Sequence, residues 1–312
     1  MGTGWLTCIP AVLLPHSLCR STTANAPANR QMPIASVVSG YCKKKEKQRV
    51  MKQILIIVGL VISGVVCGQQ AKTTDFLTEI TKYDISHLWT LNKFQTVEEK
   101  DTIIIERQEP LGYIGNTYQR FYIHFISAIQ NPTDKLKYFI YGKTRVKENI
   151  CSFQGQIVIK EARIYVEGDL PPLKEGFAKG TYEFYEDSKQ KGTGQLTGTF
   201  STEFYIDNKG KIKYDALMII ADGFYNNQFE GIWTSYKLNE SKKCNWGDYR
   251  IPDSKELDFG AGEFGVNDKY AANGWISYML STSMSPDKVD VKSALKEENR
   301  KWWIENEKTT NR

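Results

Sequence analysis

The chain has 312 residues with 41 basic and 36 acidic side chains, a formal net charge of +5. Eight of the basic residues and one of the acidic ones lie in residues 1–68, which leaves 33 basic against 35 acidic in the 244 that follow. That near balance removes the electrostatic footprint of a nucleic-acid-binding protein, and 244 residues suffice for one large all-β domain or two small ones.

Residues 1–50 hold three of the six cysteines, four of the ten prolines and no strand or helix period. They read as a disordered leader or a gene-model artefact upstream of a true start at Met51. A cytosolic tail ahead of a membrane anchor is the alternative. Residues 51–68 read as an export signal: Lys52 precedes an apolar core, Ile54 to Cys67, of about 14 residues, where a membrane span needs ~20. Val66 and Gly68 suit cleavage before Gln69. Cleavage before Cys67, with lipid on that cysteine, and retention as a membrane anchor are the alternatives. The expected location is therefore periplasmic or secreted.

Residues 69–312 read as a single β-rich domain holding all 14 Phe, 16 of 17 Tyr and six of seven Trp, ample for a core. Two cysteines remain, Cys151 and Cys244, and export predicts a disulfide between them. Two separately buried thiols are the alternative.

In chain order, "TTDFLTEITKY" predicts a short helix capped by Thr74 or Asp75. Strand patterns follow over 118–129, 136–146, 153–166, 180–185, 196–206, 211–220 and 229–236. The clearest is Leu196, Gly198, Phe200, Thr202, Phe204 and Ile206 on one face, turning at "DNKG" into Ile212, Tyr214, Ala216, Met218 and Ile220. Short joints predict an antiparallel meander. Glycines recur two residues from large apolar neighbours: Gly142 beside Ile140, Gly155 beside Phe153, Gly180 beside Tyr182, Gly198 beside Phe200, and Gly231 between Phe229 and Trp233. Such glycines suit a sharply coiled sheet with aromatics covering the gaps. The expected fold is mainly β, an antiparallel meander closing as a barrel, lipocalin-like in architecture by analogy only; a β-sandwich is the alternative.

The stretch 242–265, after the last clear strand, predicts a long loop that either binds a ligand or packs as a cover, with Cys244 and Trp246 as its anchors. The C-terminal segment 267–304 predicts two helices, one capped by Asn267 and one starting at Ser285-Pro286 and reaching Trp303.

No motif assigns chemistry. Gly142-Lys143-Thr144 lacks the upstream glycine of a phosphate loop, and "GTGQLTG" leads into a strand. His87 and His124 have no ligand-type neighbour at metal spacing, so no metal or cofactor is implied. Glu183, Glu203 and Glu230 face away from the aromatics of their strands, where a glycan hydrolase would instead need a convergent pair. The first functional expectation is an exported, non-enzymatic binding protein of the bacterial envelope or extracellular space. Its ligand would be a glycan, a peptide or a small apolar molecule, held at a barrel mouth by Trp233, Trp246, Tyr249, Arg250 and His124. A hydrolase of an envelope or extracellular polymer, and a protein-interaction or inhibitor module, are the alternatives. The membrane enters only through the signal or a lipid anchor.

Overall fold

The computed structural model describes residues 71–98, 101–282 and 289–304. The segments 1–50 and 51–68, Cys67 and the Ser285-Pro286 helix start lie outside the described residues. Among the described residues, no helix is long and apolar enough to cross a membrane.

The chain is mainly β. A two-stranded hairpin, β2 (Lys93–Glu98) and β3 (Asp101–Glu106), stands beside one large sheet. Its principal strands are β4 (Leu111–Ile114), β5 (Gln119–Arg120), β6 (Tyr122–Gln130), β7 (Lys137–Val146), β8 (Asn149–Tyr165), β9 (Lys174–Glu186), β10 (Gly194–Ile206), β12 (Asn226–Ser235) and β13 (Ser241–Asp248). The order across the sheet is β5-β4-β13-β12-β10-β9-β8-β7-β6, all antiparallel. β1 (Thr73–Asp75) adds to β8, and β11 (Ile212–Tyr214) to β10. The meander expected from the sequence is thus present from β6 to β10.

The sheet curls into an open half-barrel. Its two terminal strands, β5 and β6, are separated in sequence only by Phe121, whose N–H donates to the Gly112 carbonyl at 2.9 Å. Beyond that contact the β6 edge meets helix α2 (His87–Thr90) instead of another strand. The closed barrel of the sequence reading is therefore not completed by strand pairing among the described residues. An α-helix occupies the place of the closing ladder.

The concave face carries the core. Trp246 stacks on Phe229 with ring centres 4.9 Å apart, and Tyr182 meets Trp246 edge-on at 5.1 Å. Phe200 stacks on the far side of Phe229 at 5.7 Å. The strand glycines make room for these rings. A Cβ on Gly142 would strike the Phe153 ring across the β7–β8 pair, and one on Gly231 would strike the Tyr182 hydroxyl. The alternation read on β10 holds, with Leu196, Phe200, Thr202 and Phe204 all buried.

The second half of that hairpin is shorter than expected. β11 ends at Tyr214, and Met218 and Ile220 are exposed. Side-chain bonds replace the ladder here. Asn226 Nδ2 donates to the Glu203 and Asp215 carbonyls, and Asp215 Oδ1 caps the Leu217 N–H at 3.0 Å. A carboxylate and an amide thus turn the chain out of the sheet.

The segment expected as one long loop divides in two. "SKKCNWGD" is β13, a central strand between β12 and β4. Residues 249–266 then fold over its convex side, where Leu111, Tyr113, Ile251, Leu257, Phe264 and Trp275 form a second, smaller core. β13 is consequently buried on both faces, which erases the period-two signature.

Of the expected caps among the described residues, only that of Asn267 is found: the first helix has Phe76, not Thr74 or Asp75, at its N-cap, with no side-chain cap bond. Asp75 Oδ1 accepts from the Leu77 N–H ahead of α1 (Leu77–Ile80). Asn267 caps a 3-10 turn, Asp268–Asn273, through the Lys269 N–H. Gly274, at φ +90°, stops that turn, and α3 (Ile276–Ser281) begins after it. Only a residue without a Cβ takes this φ at no cost. The last helix, α4 (Val289–Glu298), stops before Trp303.

A ladder of rings and guanidinium groups seats the C-terminal segment on β5–β7. Arg145 lies 4.0 Å from the Tyr122 ring centre and 5.6 Å from Trp302. Arg120 lies 4.7 Å from the Tyr122 ring centre and 4.3 Å from that of Trp275. The guanidinium groups then pair with Glu298 and Glu297 of α4. Desolvated cation–π contacts of this kind contribute about 2 kcal/mol each.

The expected Cys151–Cys244 disulfide is absent: both are free, buried thiols. Cys151 is on β8 and Cys244 on β13, with β9, β10 and β12 between them in the sheet. Cys151 Sγ is engaged locally, donating towards the Lys191 carbonyl at 3.5 Å.

Candidate functional site

Four chain reversals surround one end of the half-barrel: β4–β5, β7–β8, β9–β10 and β12–β13. Between them opens a cleft of about 790 Å³. Ile114, Phe121, Val146, Trp233 and Leu238 form its apolar walls, and Lys147, Lys191, Lys242 and Glu240 stand around it. Leu238 is 63% exposed, a large apolar side chain held at the opening rather than in the core.

Glu186, the last residue of β9, closes the floor. It continues the core-facing row of Tyr182 and Phe184 and is buried. Its Oε1 accepts the Thr144 hydroxyl, and its Oε2 accepts the Trp233 indole N–H at 3.0 Å and the Gly194 N–H at 2.9 Å. Burial raises the Glu186 pKa, and the three donors oppose that shift. Cys151 also lines the cleft, and burial pushes its thiol up to about 12. The floor is thus a satisfied polar network under apolar walls. Sequence reading ended this strand at Tyr185 and missed Glu186. The period-two row extended one step further would have found it.

Of the residues expected at the mouth, Trp233 lines this cleft and the others do not. Trp246 is 1% exposed and lies in the aromatic core. Tyr249, at φ +64°, packs edge-on against Phe224 at 5.1 Å. Arg250 donates through Nη2 to the carbonyls of Gly260, Gly262 and Glu263 and pairs with Asp258, which ties the covering segment together. His124 Nδ1 lies 2.9 Å from Glu109, and its ring stacks on Trp303 at 3.7 Å. His124 and Trp246 do border a separate cavity, but its volume is about 20 Å³, room for about one water.

The strand carboxylates do not converge here either. Glu183 lies on the convex face near Tyr185 and Gln156, and Glu203 bonds the Tyr165 hydroxyl at 3.2 Å. Glu230 pairs in register with Thr199. Among the described residues no group of three or more His, Cys, Asp or Glu could hold a metal ion. Comparison of the chain with protein families, with curated proteins and with solved structures finds no match.

Proposed function

We propose that the protein is an exported, non-enzymatic binding protein of the bacterial envelope or extracellular space, and that its ligand is a small molecule seated in the Trp233–Glu186 cleft. The observation that carries this reading is the combination of an open, apolar-walled cleft with a hydrogen-bonded floor. Both Glu186 oxygens are engaged, and Glu240 is paired with Lys242 at 3.0 Å. Neither carboxylate of the cleft is then free for acid/base work on a polymer. The lipocalin comparison enters as architecture alone: a curled antiparallel sheet, open along one edge, offering its turn end to a ligand.

The neutral fluorophore N-phenyl-1-naphthylamine tests the site on the purified protein. Saturable binding with enhanced emission is expected, together with its loss in Leu238→Glu, an exposed rim substitution that leaves the core intact. Binding that Leu238→Glu leaves unchanged would place the fluorophore elsewhere and defeat the reading. Export is tested by the amino terminus of the protein recovered from cells. Gln69 is expected, a lipidated Cys67 would identify an anchored form, and a terminus within residues 1–50 would remove the signal.

A further inference from the structure

We propose that the ligand of this cleft is an anionic amphiphile: an apolar body against Trp233 and Phe121, with one oxyanion head, carboxylate or phosphate, beside Lys147 and Lys191. This deepens the binding reading above and rests on it.

The charges of the cleft are divided by depth. On the floor, Glu186 spends its acceptors on Thr144, Gly194 and Trp233. A charged or strongly polar ligand end finds no group to pair with there, and leaving it unpaired would cost it its hydration. The deep part therefore favours an apolar body.

The rim has the opposite character. Lys242 is neutralised by Glu240 and lies 5.7 Å from the Trp233 ring centre. Lys147 and Lys191 have no ion-pair partner among the described residues and both border the cleft. The fold brings them to one side. Lys147 sits in the two-residue β7–β8 turn at φ +54°. Lys191 lies in the β9–β10 connection, and its carbonyl accepts Asn149 Nδ2 at 3.0 Å from the first residue of β8. That bond fastens one hairpin to the next, and both lysines line the same cleft. Two cationic side chains lining one cleft without an ion-pair partner among the described residues favour an anionic guest. The nearby guanidinium groups of Arg120 and Arg145 are already committed to Glu298 and Glu297 and leave the lysines as the available cations.

The test displaces bound N-phenyl-1-naphthylamine with four guests of one chain length, each below its micelle concentration: dodecanoate, dodecyl phosphate, dodecanol and dodecyltrimethylammonium. One anion is expected to displace the probe at about tenfold lower concentration than dodecanol, with the cation weakest. The better of the two anions identifies the head. The preference should collapse in Lys147→Gln/Lys191→Gln, which keeps its affinity for the neutral probe, and should weaken in about 0.5 M salt. Equal displacement by dodecanol and both anions, or a preference that survives the double substitution, overturns this proposal alone. Failure of the neutral probe to bind the wild-type protein overturns the binding reading and this proposal with it.

Discussion

Arg107 and Asp248 form a bidentate ion pair at the end of β13 away from the cleft, Nε to Oδ2 at 3.1 Å and Nη2 to Oδ1 at 2.8 Å. Asp248 also accepts the Tyr214 hydroxyl at 2.9 Å and Asn227 Nδ2 at 2.8 Å. Arg107 Nη1 reaches the carbonyls of Trp89 and Leu91. One carboxylate at the end of β13 thus joins the β2–β3 hairpin, β11, β12 and the α2 segment. Breaking a buried pair by removing one partner leaves the other charge uncompensated. Asp248→Ala should cost about 3–5 kcal/mol in urea unfolding. The double replacement Asp248→Ala/Arg107→Ala should cost less than the sum of the two single ones. Strict additivity would show that the two side chains do not act as a unit.

The thiols provide a second prediction. Burial pushes the Cys151 thiol up to about 12 and raises that of Cys244 well above its ordinary value. Under native conditions neither should react readily with a thiol reagent, because the thiolate is the reactive form. In denaturant without reductant both should label fully. Labelling that appears only after reduction would restore the disulfide that export predicts.

Stability should fall with rising pH through the outer-face acids. Burial pushes the Glu203 carboxyl up to about 7, against the Tyr165 hydroxyl bond, and the Asp215 carboxyl up to about 6. The folded chain therefore keeps protons that the unfolded chain releases at ~4. Their contribution is complete below ~4 and is lost as pH rises through about 6 and 7, by up to about 1.4 kcal/mol per pH unit per proton. The urea midpoint should drop between about pH 5 and pH 8, and Glu203→Gln should flatten the profile. A wild-type midpoint that rises over this interval contradicts the assignment.

Gly231 and Tyr182 offer a packing test. A Cβ at Gly231 meets the Thr197 carbonyl and the Tyr182 hydroxyl, and that hydroxyl is buried without a hydrogen-bond partner. Gly231→Ala should destabilise by about 1–3 kcal/mol through overpacking. Tyr182→Phe alone should cost little, because it removes an unsatisfied polar atom, and it should recover part of the Gly231→Ala loss. Thermal unfolding of the three variants decides this. No recovery would mean that the backbone contact, not the hydroxyl, sets the cost.

The fold is legible from local sequence where one face of a strand is wet and the other dry. The β10 row from Leu196 to Ile206, the glycine–aromatic pairs and the Asn267 cap each follow from a few neighbouring residues. The candidate site was legible only through Trp233. Glu186 lies one step past the expected end of β9. Lys147 and Lys191 are unremarkable surface residues until two hairpins are fastened together by Asn149. The disulfide failed because redox context supplies a motive for a bridge and not a distance.

By itself the sequence determined an antiparallel, aromatic-rich sheet and which side chains face its core, because a two-residue period is a local property of the backbone. Only the tertiary structure decided that "SKKCNWGD" is a central strand. Residues 249–266 cover its outer face, so both sets of its side chains are buried and the alternation disappears. The same holds for the half-barrel's open edge, the separation of Cys151 from Cys244 and the cleft over Glu186. Each depends on which distant strands become neighbours, a choice made by packing across the whole sheet and written in no single stretch of the chain.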